Sequence, residues 1–236
     1  MSTPDSSAAQ PNRRGLIIAI IAVVVLVLAG GGYYGYQTYA ASKPGDINTP
    51  SPLGDMALGP ADARVKIIEY ASMTCPHCAA FTKETFPKLK ATYIDSGKVR
   101  YVFREYPLDQ VALLGAQLAR CIAKDDAPKF FKVIEVLFAS QDEWASNTPI
   151  EPLKRITRQF GMSDQDFEAC ANNESIGKGI IATRDYAYDR LKVNATPTFF
   201  INGQKIEGEA SFEEFAKVID PLLAQPAAAG GPAQKP

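Results

Sequence analysis

The stretch Val65-Lys66-Ile67-Ile68-Glu69-Tyr70-Ala71-Ser72-Met73-Thr74-Cys75-Pro76-His77-Cys78 decides the fold. An apolar run that reads as a buried strand stops shortly before two thiols separated by two residues. Between the thiols lie a proline and the only histidine of the 236-residue chain. A C-x-x-C pair at a strand-to-helix junction reads as a redox-active dithiol. At a helix start Cys75 meets unpaired backbone N–H groups and the positive end of the dipole, so its thiolate is favoured over its thiol. Pro76 suits the first helical turn, where its missing N–H costs nothing.

The competing chemistry is metal binding. Two cysteines at this spacing are half a structural zinc site, which needs two more soft ligands. Cys121 and Cys170 stand apart in separate helical patterns, and there is no second histidine. Haem attachment would need C-x-x-C-H, whereas Ala79 follows Cys78. No metal and no bound cofactor are expected. The charge is nearly balanced, 25 basic against 26 acidic residues, which gives no reason to expect nucleic-acid binding. Four cysteines are too few for a disulfide-built scaffold, so an ordinary apolar core is required.

The N-terminus sets the expected compartment. Leu16 to Ala29 is an unbroken apolar run, and the uncharged stretch continues to Tyr36. Residues 15–37 are long enough to cross a bilayer as a helix. Arg13 and Arg14 before the run keep a short tail, residues 1–14, in the cytoplasm. Tyr33, Tyr34 and Tyr36 suit the opposite interface. The alternative is a signal peptide, with weak small-residue cleavage sites ending at Ala29 and Ala40. Both readings deliver the rest of the chain to an oxidising compartment.

Ala41 to Pro60 is rich in Pro, Gly, Ser and Asp, so residues 38–56 read as a tether. Residues 225–236 read as a disordered tail. One domain is expected over residues 57–224. Its first strand is Arg64 to Tyr70, and a helix runs from the cysteine pair to about Ile94, kinked at Pro87. Lys98 to Arg104 alternates as a second strand. Helical spacing then predicts helices over 109–123, 126–140, 151–160, 163–173 and 174–191. Asn202-Gly203 between Thr198–Ile201 and Gln204–Glu207 is a two-residue hairpin signal. A last helix, from about Phe212 to Leu223, starts with Ser211 and Glu214 as a capping box. The order is strand, helix, strand, helical block, hairpin, helix. It matches an α/β thioredoxin-like core with a mixed sheet and a helical insertion over about 108–191.

Two segments carry a family resemblance. Ile67-Ile68-Glu69-Tyr70 with Cys75-Pro76-His77-Cys78 resembles the active-site segment of the DsbA disulfide oxidases. Val193-Asn194-Ala195-Thr196-Pro197-Thr198-Phe199-Phe200-Ile201-Asn202-Gly203 resembles that family's cis-proline loop and the hairpin after it. The likeness extends over residues 57–224 and includes α-proteobacterial members of the family.

The resemblance implies a thiol-disulfide oxidoreductase with Cys75 as the attacking sulfur and Cys78 as its buried partner. His77 would help hold the thiolate; otherwise it is a surface histidine without a task. Pro197 would be cis and packed against the cysteine pair, with Thr196 and Pro76 at the substrate approach. The ordinary alternative is a trans proline leading into a strand. The family's best-known oxidase pattern has valine where this chain has Thr196, which leaves the direction of redox traffic open. Glu69 would be a buried acid near Cys78, paired with Lys98, Arg100 or Arg104, or else a strand-edge carboxylate facing solvent. Cys121 and Cys170 would form a second, non-catalytic bridge, or each is a buried small hydrophobe.

The implied partners are folding cysteine-containing envelope proteins and a DsbB-like membrane reoxidant, with the chain a monomer. Running the same chemistry toward isomerisation or reduction is the alternative, as is a non-catalytic envelope chaperone.

Overall fold

The computed structural model describes residues 13–42 and 45–225. The chain divides into two units, with the boundary at Gly45. In the first, Arg13–Ser42 is a single 30-residue helix, α1. Its described side chains, those of Ile17, Ile18 and residues 21–33, are exposed. Among the described residues no helix is long and apolar enough to cross a membrane. Most of the cytoplasmic tail read over 1–14, part of the tether, and the tail from Pro226 onward lie outside the described residues.

The second unit is a five-stranded mixed sheet in the order β1-β3-β2-β4-β5 with helices around it. The strands are β1 (Met56–Leu58), β2 (Val65–Ala71), β3 (Val99–Glu105), β4 (Thr198–Ile201) and β5 (Gln204–Glu207). Strands β2 and β3 are parallel, and every other pairing is antiparallel. Central β2 is covered on both faces, which is why it reads as a nearly continuous apolar run. Val65, Ile67 and Ala71 point into the larger core, and Ile68 and Tyr70 into a smaller one with Val102, Tyr106 and Phe200. By the same alternation Glu69 points into the larger core, the side that also holds Cys78.

The hairpin turn has positive φ at both central residues, 46° at Asn202 and 93° at Gly203, as a type I′ turn requires. The Asn202 side chain accepts from Lys66 N and donates to Arg64 O, tying the turn to the start of β2.

The helix after the cysteine pair is shorter than its sequence suggests. It comprises α2 (Pro76–Glu84), a break at Thr85, α3 (Phe86–Leu89) and a π turn over Lys90–Ile94. Pro87 does not kink a continuous helix. It falls in the first turn of the new short helix, where no N–H is needed. Thr85 donates its hydroxyl to Ala210 O at the break.

The helical block follows β3. It contains α4 (Gln110–Ala123), α5 (Ala127–Ala139), α6 (Gln141–Trp144), α7 (Ile150–Arg158), α8 (Asp164–Ala171) and α9 (Glu174–Leu191). Asp109, Asp126, Ser163 and Asn173 cap the starts of α4, α5, α8 and α9 with side-chain oxygens. The closing helix α10 (Phe212–Ala224) begins with the Ser211–Glu214 capping box. Within the block a disulfide joins Cys121 of α4 to Cys170 of α8. The bridged positions are 49 residues apart, for which chain entropy gives about 4 kcal/mol. Replacing both cysteines by alanine should lower the free energy of unfolding by that amount, read as a lower denaturant midpoint, while leaving the Cys75 titration in place.

Residues 45–55 do not behave as a tether. Gly45 N donates to Arg190 O, and Ser51 bonds Thr183 through its hydroxyl. Asp55 takes a two-point ion pair from the buried Arg104 guanidinium, 2.9 Å at each contact. Arg104 also donates to Ile47 O and to Tyr70 Oη. Met56–Leu58 then adds an edge strand to β3. A buried arginine needs its donors satisfied, and this segment supplies the partners.

A second buried pair, Arg120 with Glu105, ties α4 to the end of β3, and Arg120 also donates to Leu53 O and Gly54 O.

Candidate active site

Cys75 is the N-cap of α2, with extended backbone and Pro76 in the first turn. Cys75 and Cys78 are both free thiols. Cys75 is 6% exposed and Cys78 fully buried. Around this loop, Cys75 N donates to Ser72 O, and Thr74 donates its hydroxyl to Asp109 at 2.6 Å. Gln141, at the start of α6, donates its amide to both Met73 O and Cys75 O, at 2.9 and 3.1 Å. The helical block therefore holds the thiol loop from behind.

The Thr196–Pro197 peptide is cis. It brings Thr196 O to 3.2 Å from Cys75 Sγ. Thr196 Oγ1 is buried and has no hydrogen-bond partner among the described residues.

The two sulfurs have opposite acidities. A hydrogen bond from Cys78, then contacts with Thr196 and the backbone N–H groups of Cys78 and His77, bring the Cys75 thiol down to about 5 against the opposing cost of burial. Burial pushes the Cys78 thiol well up, and its hydrogen bond to Cys75 and the nearby Glu69 add to that. The thiolate is therefore favoured at Cys75 and the protonated thiol at Cys78.

His77 serves this site through its backbone. Its imidazole, expected to help hold the thiolate, is 68% exposed and faces Glu209 of the β5–α10 loop, Nδ1 to Oε2 at 3.2 Å. Glu69 is buried as a core acid, not a strand-edge carboxylate. None of Lys98, Arg100 and Arg104 is its partner. Arg104 belongs to Asp55, Arg100 donates to Gly59 O, and Glu69 Oε2 accepts from Tyr101 Oη at 2.5 Å. Burial, opposed only by this neutral donor, pushes the carboxyl up to about 8.

Sequence reasoning missed Tyr101, Glu209 and Gln141. Tyr101 reads there as one more apolar strand residue. Glu209 meets His77 and Gln141 meets Cys75 O only through folding, being 132 and 66 residues away from those partners. Among the described residues no three of His, Cys, Asp and Glu converge as metal ligands would.

The family model described as Thioredoxin matches residues 51–221. The solved structure of Wolbachia pipientis alpha-DsbA1 superposes with a TM-score of 0.68 at 33% identity, covering 76% of this chain and 93% of that one. The chain belongs to the DsbA family of thioredoxin-like proteins. Bacillus subtilis BdbD is a more distant structural neighbour, TM-score 0.64 at 25% identity, covering 75% of this chain and 96% of that one. Among curated relatives, a Rickettsia conorii protein named as a protein-disulfide oxidoreductase is 36% identical over 170 residues, 72% of this chain. The match spans 60% of that relative's length. As in the sequence reading, the DsbA relatives include α-proteobacteria.

Proposed function

We propose that this chain is a thiol-disulfide oxidoreductase that donates the Cys75–Cys78 disulfide to folding cysteine-containing proteins of the cell envelope. The observation that carries this is the asymmetry of the two thiols: an acidified Cys75 at a helix start and a buried, protonated Cys78 behind it. A dithiol whose less buried member is a stable thiolate favours its reduced form, and its disulfide is then a strong oxidant.

In the forward reaction a client thiolate attacks Cys75 Sγ. The Cys75–Cys78 bond breaks, and Cys78 leaves and takes up a proton. The client's second thiolate then attacks its own sulfur in the mixed disulfide and expels Cys75 as thiolate. The client gains a disulfide and the enzyme is left as the dithiol. A DsbB-like, quinone-linked membrane protein would accept those two electrons and restore the bond. Cys75, Cys78 and Glu69 carry the chemistry in this reading. Pro76, Thr196 and Pro197 shape the approach, with His77 at its rim, and Cys121–Cys170 is structural. The chain acts as a monomer, held to the membrane by residues 15–37 with its domain in the periplasm.

Absorbance of the thiolate at 240 nm should titrate with a midpoint near 5 in reduced protein; a midpoint near the unperturbed value of 9.0 would remove the basis of the proposal. The deciding assay is oxidation of reduced, denatured ribonuclease by stoichiometric disulfide-form protein. Recovery of client disulfides with loss of the Cys75–Cys78 bond is expected. Rearrangement of scrambled ribonuclease without net oxidation would assign isomerisation instead. Binding without exchange would assign a chaperone.

A further inference from the structure

Cys78 leaves the disulfide into a fully buried site, where a bare thiolate is costly. It needs a proton at that moment. His77 is poorly placed to give one, being exposed and engaged with Glu209. The ionisable groups that act on Cys78 are Cys75 and Glu69, and Tyr101 feels it in turn. Cys75 is the sulfur under attack, which leaves the carboxyl and the phenol.

These two are joined. Tyr101, 1% exposed, donates to Glu69 Oε2, while Glu69 Oε1 is buried with no hydrogen-bond partner among the described residues. The phenol is itself held between Phe86 and Phe131, with ring centroids 5.0 and 6.0 Å away. A neutral carboxyl has one carbonyl oxygen and one hydroxyl. With the donor fixed on Oε2, that oxygen is the carbonyl and the proton sits on Oε1. A buried O–H without an acceptor is poised to donate to whatever acceptor forms beside it. The thiolate of Cys78 is the acceptor that forms in this core: it is buried on the side of β2 that Glu69 faces and is coupled to that carboxyl, without bonding Oε1 in the resting dithiol. A lysine or arginine in place of Tyr101 would hold Glu69 ionised and leave it nothing to give.

We propose that Tyr101 is a positioning residue for the exchange step: by donating to Oε2 of Glu69 it makes Oε1 the oxygen that hands the proton to Cys78. The inference rests on the oxidoreductase reading above. When the client thiolate forms its bond to Cys75 Sγ, the electron pair of the broken bond goes to Cys78 Sγ, the proton moves from Glu69 Oε1 to that sulfur, and Glu69 is left as carboxylate. Tyr101 then donates to a charged acceptor, a stronger bond than before. Glu69 regains a proton from solvent before the next turnover.

The test is Tyr101→Phe, which keeps ring and packing and removes only the donor. The Glu69 carboxyl is titrated in resting reduced protein by carbon-13 NMR, against Glu69→Gln to identify the signal. Loss of a hydrogen bond to the charged form should raise the carboxyl's proton affinity about tenfold. The alkaline fall in the rate of client oxidation should move up by the same factor, and the rate at neutral pH should drop as orientation is lost. In a Glu69→Gln background the same substitution should change neither. An unmoved carboxyl midpoint, or a rate lowered equally at every pH and also in the Glu69→Gln background, would overturn the proposal by showing a packing role alone. A chain that oxidises no client at any pH would overturn the oxidoreductase reading and this inference with it; a normal rate with an unmoved alkaline limb would overturn the role of Tyr101 alone.

Discussion

Reduced protein should unfold at a higher temperature than its Cys75–Cys78 disulfide form at pH 7, the reverse of what a structural disulfide does. The Cys75 thiol titrates near 5 in the folded protein, against 9.0 for the unperturbed group. A folded pKa below the unfolded one adds stability that is complete above the unfolded value and lost as pH falls through the folded one. At pH 7 the folded group is ionised and the unfolded one is not. The difference is about 3 kcal/mol in favour of the reduced form. The disulfide has no ionisable group there and gains nothing. Melts of the two forms from pH 8 to pH 4, with Cys121–Cys170 kept intact, should show the advantage of the dithiol shrinking steadily and vanishing near pH 5. A disulfide form that melts higher across that range would leave no driving force for oxidation of clients.

Glu69→Gln should stabilise the reduced protein at pH 7 by on the order of 3 kcal/mol while slowing its chemistry. The folded carboxyl titrates near 8 against 4.5 for the unperturbed group. A raised folded pKa contributes stability only below the unfolded value, and that contribution is lost as pH rises through the folded one. At pH 7 the unfolded chain gains by releasing the proton and the folded chain cannot, which produces the penalty. Glutamine keeps an oxygen for Tyr101 to donate to and has no proton to lose. The gain in denaturant unfolding should therefore be absent below about pH 4.5 and grow with pH to about 8. Client oxidation should fall by about 100-fold, the usual size of a lost general acid. A variant that is no more stable than the parent at pH 7 would contradict the buried acid.

The parts of this fold legible in the sequence were those encoded over a few adjacent residues. The β2 run, the Asn202-Gly203 turn and the Ser211–Glu214 capping box each carry their own local physics, and each lies where its pattern places it. The break at Thr85 was hidden because Pro87 alone signals a disturbance without saying on which side the helix ends. Strand β1 is three residues between glycines, too short for any period to emerge. What made residues 45–55 look like a linker was composition. What makes them part of the domain is Arg104, whose need for partners shows only once β3 is buried. The same holds at the site. The sequence offers Lys98, Arg100 and Arg104 as charged partners for Glu69, and the partner is instead Tyr101 of β3.

The arrangement of the four cysteines bears on how the protein matures. Four cysteines can pair in three ways. The structure joins the third to the fourth, and the exchange proposed above would join the first to the second, which are free thiols here. Neither bridge encloses or crosses the other. An oxidant that links cysteines in sequence order would therefore produce this set directly, with no wrong pair to undo.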